Sequence, residues 1–90
     1  MALDNVVPGG RVTPKLPGIS SRQLIAALKK AGFQDAPRRG KGSHRAFWKP
    51  GDPPRLVVVP HRRNLPTGTV LAIIRQAGIS REELLELLRS

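Results

Sequence analysis

The sequence predicts an α+β domain with the order helix, three strands, helix, helix, in which a three-stranded antiparallel sheet has helices on one face. Three observations support this fold class. An amphipathic, capped segment covers about residues 20–31, two β-rich runs follow across a Pro/Gly turn, and two further apolar stripes come after Pro66. The second face of the sheet is expected to be open to a partner.

The helix boundaries are the most strongly marked elements. Ser20 with Gln23 three residues later predicts a capping box, and Gly32 predicts the end of the first helix. The second helix is predicted to start near Thr67 and to end at Gly78. A third helix is predicted to open at Ser80, with Glu83 as its capping-box partner.

The strands are predicted at Phe33–Ala36, His44–Lys49 and Leu56–Val59, and the last is ended by Pro60. Pro50 to Pro54 is a turn by composition. Because successive side chains of a strand alternate, Phe47 and Trp48 must point to opposite faces. We expect Phe47 in the core, which places His44, Ala46 and Trp48 together on the open face.

Residues 1–18 contain six Pro and Gly residues and no periodicity, so we expect a flexible N-terminal arm followed by one domain over residues 19–90. The arm lacks the charged-then-apolar order of a signal peptide, and no apolar run approaches the ~18 residues that span a membrane. A cytoplasmic location is the corresponding expectation.

The charge is strongly basic, with 16 Lys and Arg against 6 Asp and Glu, which favours a polyanionic partner. Eight of these cations lie between Arg38 and Arg63, where Asp52 is the single acid. There is no cysteine and only two histidines, so we expect neither a disulfide, a metal site nor a cofactor.

The run from Lys41 to Arg45 combines the residue types that RNA cleavage needs. In that reaction the substrate's 2′-hydroxyl is the nucleophile, and the protein moves protons and stabilises phosphoryl charge. A histidine such as His44 suits proton transfer near neutral pH, and Lys or Arg binds phosphate. Gly42 allows close approach of the backbone, and Ser43 can donate to a phosphate oxygen. The alternative is a soluble basic loop whose histidine is an ordinary surface residue.

Three further residues are candidates for RNA contact. Trp48 can stack on an unpaired base or simply cover a loop. His61, followed by Arg62, can supply a second proton, bind a phosphate, or be an ordinary polar residue at a strand exit.

Four segments in order resemble the HicA family of mRNA interferase toxins. They read L-I-A-A-L-K-K-A-G-F from Leu24, G-S-H from Gly42, V-V-V-P-H from Val57 and G-T-V-L-A-I-I-R-Q-A-G-I-S from Gly68. The resemblance covers roughly residues 19–88. It implies a double-stranded-RNA-binding-domain-like fold and ribosome-independent cleavage of mRNA. It also implies that His44 is the catalytic residue and that a HicB-type antitoxin covers the site.

Two other functions fit the composition. A non-catalytic RNA-binding module would explain the charge and the fold, and incubation of the pure protein with RNA separates it from a nuclease. An assembly protein using the leucine-rich C-terminal helix would form dimers without RNA affinity. We expect the free protein to be a monomeric, metal-independent endoribonuclease.

Overall fold

A computed structural model describes residues 16–36, 42 and 44–90. The element order is the predicted one, an α+β fold consistent with the double-stranded-RNA-binding-domain-like arrangement. The elements are α1 (Ser21–Lys30), β1 (Gln34–Asp35), β2 (His44–Lys49), β3 (Arg55–Pro60), α2 (Thr67–Ala77) and α3 (Arg81–Arg89).

The residues at each end of α1 determine where the helix begins and ends. The predicted capping box is present: the Ser20 hydroxyl accepts from the Gln23 amide, and the Gln23 side chain accepts from the Ser20 amide. At the other end, the Phe33 amide donates to the Leu28 carbonyl and the Gly32 amide to the Lys29 carbonyl, both at 3.0 Å. This Schellman arrangement requires a positive φ, and Gly32 supplies it at 103°.

The two C-terminal helices follow the same rules. α2 begins directly after Pro66 and ends at Gly78, whose φ is 73°. The Ile79 amide then donates to the Ile74 carbonyl at 2.9 Å. α3 opens with the predicted capping box between Ser80 and Glu83. The predicted helix ends are therefore confirmed.

The three strands form one antiparallel sheet in the order β1-β2-β3. β1 is shorter than predicted because the Phe33 amide is used in the cap of α1 and its side chain is buried in the core. β3 is longer than predicted, since Arg55 pairs with Lys49 and Pro60 pairs with His44. Pro60 is accommodated because it lies at the end of an edge strand, where a missing amide breaks no ladder.

The sheet has one buried face and one exposed face, which we call the inner and the outer face. Phe47 pairs with Val57, and both are buried with residues of all three helices in one core. Trp48 pairs with Leu56 on the opposite face, and both are exposed. The prediction that Phe47 points inward and Trp48 outward is confirmed. Full burial of a large apolar side chain such as that of Phe47 stabilises the fold by about 1.5–3 kcal/mol.

The predicted flexible arm falls largely on residues 1–15, which lie outside the described residues. Leu16, just after them, is partly buried and packs against the core. Within the described part of the chain, no helix has the length and the apolar character needed to cross a membrane.

Candidate active site

His44 is the first residue of β2, and its side chain is exposed. The register places its Cα opposite Pro60, the last residue of β3. Gly42, two residues earlier, has a φ of 59°, and among the residues that the structure describes no atom lies within 4 Å of the position that a Cβ would take. Lys41 and Ser43, the other predicted members of this loop, lie outside the described residues. An imidazole at the start of a rigid strand is thus open to a large substrate.

His61 follows Pro60 directly, so both histidines lie at the same end of the sheet. His61 and the next residue, Arg62, are exposed. The structure thus brings His44 to the same end of the sheet as His61 and Arg62, which lie 17 and 18 positions later in the sequence. The amphoteric imidazoles and the guanidinium are the groups that proton transfer and phosphate binding need.

A buried hydroxyl fixes the backbone of this loop. Ser21, the first residue of α1, is only 3% exposed. Its hydroxyl donates to the Arg62 carbonyl oxygen at 3.0 Å, and the same oxygen accepts from the Ser21 amide at 2.9 Å. The Leu65 amide donates to the Ile19 carbonyl at 2.8 Å. The segment after β3 is therefore bonded at two points to the start of α1, and sequence reasoning missed this link.

The outer face continues from His44 along β2 to Ala46 and Trp48, as the alternation predicts. Trp48 is 38% exposed, whereas the small side chain of Ala46 is only 2% exposed among its larger neighbours. Trp48 is therefore available to a ligand on the same face as His44. It lies four residues along the strand, or about 13 Å at ~3.3 Å per residue.

Arg45, a predicted RNA contact, lies on the inner face. Its guanidinium donates to Asp35 at 2.6 Å, and its Cζ lies 5.1 Å from the centre of the Phe47 ring. Lys29 at the end of α1 contacts the other Asp35 oxygen at 3.2 Å. The structure thus separates Arg45 from its sequence neighbour His44 and engages it in a bridge between α1, β1 and β2.

Two more strand cations also have partners on the inner side. The ammonium of Lys49 lies 5.9 Å from the centre of the Phe33 ring. The guanidinium of Arg55 donates to the Gln76 carbonyl at 3.2 Å, near the end of α2. The basic middle of the chain is therefore not one face. The alternation of side chains along β2 already indicated this, because Arg45 and Lys49 are each two residues from the buried Phe47 and therefore lie on the same face.

One carboxyl group near the site has a shifted pKa. The hydrogen bond from Arg45, followed by that from Lys29, holds the pKa of Asp35 below its ordinary value of 3.8. Asp35 is thus an anion that holds a cation in place, and not a proton donor near neutral pH. Within residues 16–36, 42 and 44–90, no three His, Asp or Glu side chains are grouped as a metal ion would require.

The family model described as the HicA toxin of bacterial toxin–antitoxin systems matches residues 21–79, which is more than half of the chain. The match begins with α1 and ends just after α2, so it includes the whole sheet and both histidines. No curated protein matches the chain.

Proposed function

The chain belongs to the HicA toxin family of bacterial toxin–antitoxin systems, and from this premise we propose that it is an endoribonuclease that cleaves mRNA independently of the ribosome. His44 is the proposed catalytic residue. The observation that carries the proposal is the placement of this exposed imidazole at the start of β2, across the ladder from the strand that leads to His61.

The proposed chemistry uses the RNA's own nucleophile. The His44 imidazole accepts the proton of a 2′-hydroxyl, whose oxygen forms a bond to the adjacent phosphorus. The bond from phosphorus to the 5′-oxygen breaks, and that oxygen takes up one proton, which balances the proton that His44 accepted from the 2′-hydroxyl. The products are a 2′,3′-cyclic phosphate and a 5′-hydroxyl, and no water or divalent metal ion acts as reactant. General acid–base catalysis of this kind contributes roughly 10²- to 10⁴-fold in rate.

RNA binding is proposed to use the residues around His44. Arg62 is an exposed cation in the loop after β3, and Trp48 offers an aromatic surface for an unpaired base. Lys41 and Ser43 are proposed phosphate contacts from the sequence alone, with Gly42 between them. Arg45 is the weakest candidate of this group, because its guanidinium is already bonded to Asp35.

Membership of the family also means a cognate antitoxin. We propose that it is of the HicB type and that it neutralises the toxin by covering His44. A basic toxin with a formal charge of +10 favours an antitoxin surface that is acidic at the contact. Nuclease activity that continues in a saturated complex would contradict this occlusion.

The test is His44→Gln, compared with the wild-type protein on the same RNA. We expect the variant to fold and to bind RNA almost as tightly, because one exposed side chain is exchanged and all cations remain. Cleavage should fall by roughly 10²- to 10⁴-fold. Growth arrest on expression should disappear at an equal protein level.

Three results would overturn the proposal or its mechanism. If His44→Gln cleaves RNA at the wild-type rate, His44 is not the catalyst. If the wild-type protein binds RNA and leaves no fragments, the chain is a non-catalytic RNA-binding module. Products that carry a 5′-phosphate would show that water, and not the 2′-hydroxyl, is the nucleophile.

A further inference from the structure

The outer face of the sheet carries a cluster of exposed apolar side chains. Leu56 and Val58 on β3 are 45% and 39% exposed, and Trp48 lies directly opposite Leu56. In the described part of the chain, these three are the exposed large hydrophobic side chains. We call Trp48, Leu56 and Val58 the outer apolar patch. Contiguous apolar side chains on an exposed surface are typical of an interaction site.

The patch contains no lysine or arginine. Each outward position of β2 and β3 is uncharged or a histidine: His44, Ala46, Trp48, Leu56, Val58 and Pro60. The Lys and Arg residues of the same strands have partners on the inner side. RNA affinity depends mainly on cations that contact phosphates. Leu56 and Val58 therefore offer little to an RNA backbone and suit the apolar centre of a protein interface.

We infer that the outer apolar patch is the docking surface for the antitoxin, an inference that rests on the proposed function. The occupant has an apolar centre that covers Leu56 and Val58. It has an acidic flank toward the other end of the sheet, where Arg62 and Arg63 are exposed. A partner with an apolar centre and an acidic flank is complementary to the outer apolar patch and the arginines beyond it. A nucleic acid has no comparable apolar surface that could cover the side chains of β3.

The geometry links docking to inhibition. β3 is one of the two edge strands of the three-stranded sheet, so the patch can be approached from the side. Trp48 and His44 lie on the same face about 13 Å apart along β2. A standard protein interface covers about 800 Å² per partner, which is roughly 30 Å across. One body seated on Leu56 and Val58 therefore also reaches His44.

The test is the double variant Leu56→Thr/Val58→Thr, assayed with the full-length cognate antitoxin, which membership of the family implies. Threonine is β-branched, a shape that suits a strand, and both substitutions leave the net charge unchanged. Losing two buried apolar side chains should weaken antitoxin binding about 100-fold, at about tenfold each. RNA cleavage without antitoxin should stay within about twofold of wild type. Ala72→Ser, an apolar-to-hydroxyl change at an exposed position of α2, is the matched control. It should change neither antitoxin binding nor RNA cleavage.

Three outcomes would overturn the inference. Unchanged antitoxin affinity would show that the patch is not the docking surface. Weaker RNA binding with unchanged antitoxin affinity would assign the patch to RNA. If the wild-type protein forms a dimer and the double variant does not, while antitoxin binding is unchanged, the patch binds a second copy of the chain.

The result can be separated from failure of the proposed function. If the wild-type protein does not cleave RNA, the proposed activity fails, and antitoxin binding measured by titration still decides the docking surface. If the double variant does not fold, Val58→Thr alone changes one exposed side chain to a residue of nearly the same shape. An affinity for the antitoxin about tenfold lower then supports the inference, and an unchanged affinity overturns it.

Discussion

The hydroxyl of Ser21 bonds twice to the backbone of Arg62, 41 residues away in the sequence. It donates to the Arg62 carbonyl at 3.0 Å and accepts from the Arg62 amide at 3.1 Å. A single side chain thus satisfies both backbone groups of a residue in the loop after β3. The loop that carries His61 is held against α1 at the end of the sheet where His44 lies.

Ser21→Ala is therefore expected to destabilise the protein. Loss of the hydroxyl removes the acceptor of the Arg62 amide, and the free energy of unfolding should fall by about 1–2 kcal/mol. Alanine is the better helix former, so helix propensity alone would have the opposite effect. Urea unfolding of the two proteins measures the difference. Ser90→Ala, which removes an exposed hydroxyl bonded to the Leu87 carbonyl, is the control and should change stability little.

The two histidines should differ in what they contribute to cleavage. His44 lies on the strand, whereas His61 lies in the loop beside Arg62, so we predict that His61 binds phosphate. His61→Gln should raise KM several-fold and leave kcat nearly unchanged. His44→Gln should lower kcat by roughly 10²- to 10⁴-fold. Steady-state kinetics on a short RNA separate the two, and an equal loss of kcat in both would assign the second proton to His61.

Salt dependence should reveal which cations contact RNA. For single strands each phosphate contact contributes about −0.7 to the slope of log K against log salt, and four to five contacts give about −3. Arg62→Gln should reduce the slope by about 0.7. Arg55→Gln, with the same loss of charge, should leave it unchanged because that guanidinium bonds the Gln76 carbonyl. Equal effects of the two variants would argue against the division between the inner and outer faces.

Asp35 should stabilise the fold only while it is charged. Its pKa in the folded protein lies below the ordinary value of 3.8, so the unfolded chain binds the proton more tightly. The contribution is full above pH 3.8 and is lost as the pH falls through the lower folded value. Asp35→Asn should therefore lower Tm at pH 7, and the difference from wild type should shrink below pH 3.8. Asp52→Asn in the exposed turn is the control, and a difference independent of pH would contradict the argument.

The sequence by itself determined the elements whose causes are local. The capping boxes at Ser20 and Ser80 and the glycines after α1 and α2 act within one helical turn, and all four lie where the sequence predicts them. Alternation along β2 is equally local, so it was predictable that Phe47 and Trp48 lie on opposite faces of the sheet. The exposed position of His44 follows from its place at the start of the strand.

The tertiary structure decided which distant groups meet. Nothing within a few residues of Ser21 indicates Arg62, and nothing near Arg55 indicates the carbonyl of Gln76. These contacts depend on how α1 and α2 pack against the sheet, and that packing follows from burial of the whole core, which is not directional. The sequence could therefore count the cations of the central segment. Alternation along β2 already places Arg45 and Lys49 on the face of Phe47. Only the folded chain shows which groups these cations contact there, and that Arg62 lies at the same end of the sheet as both histidines.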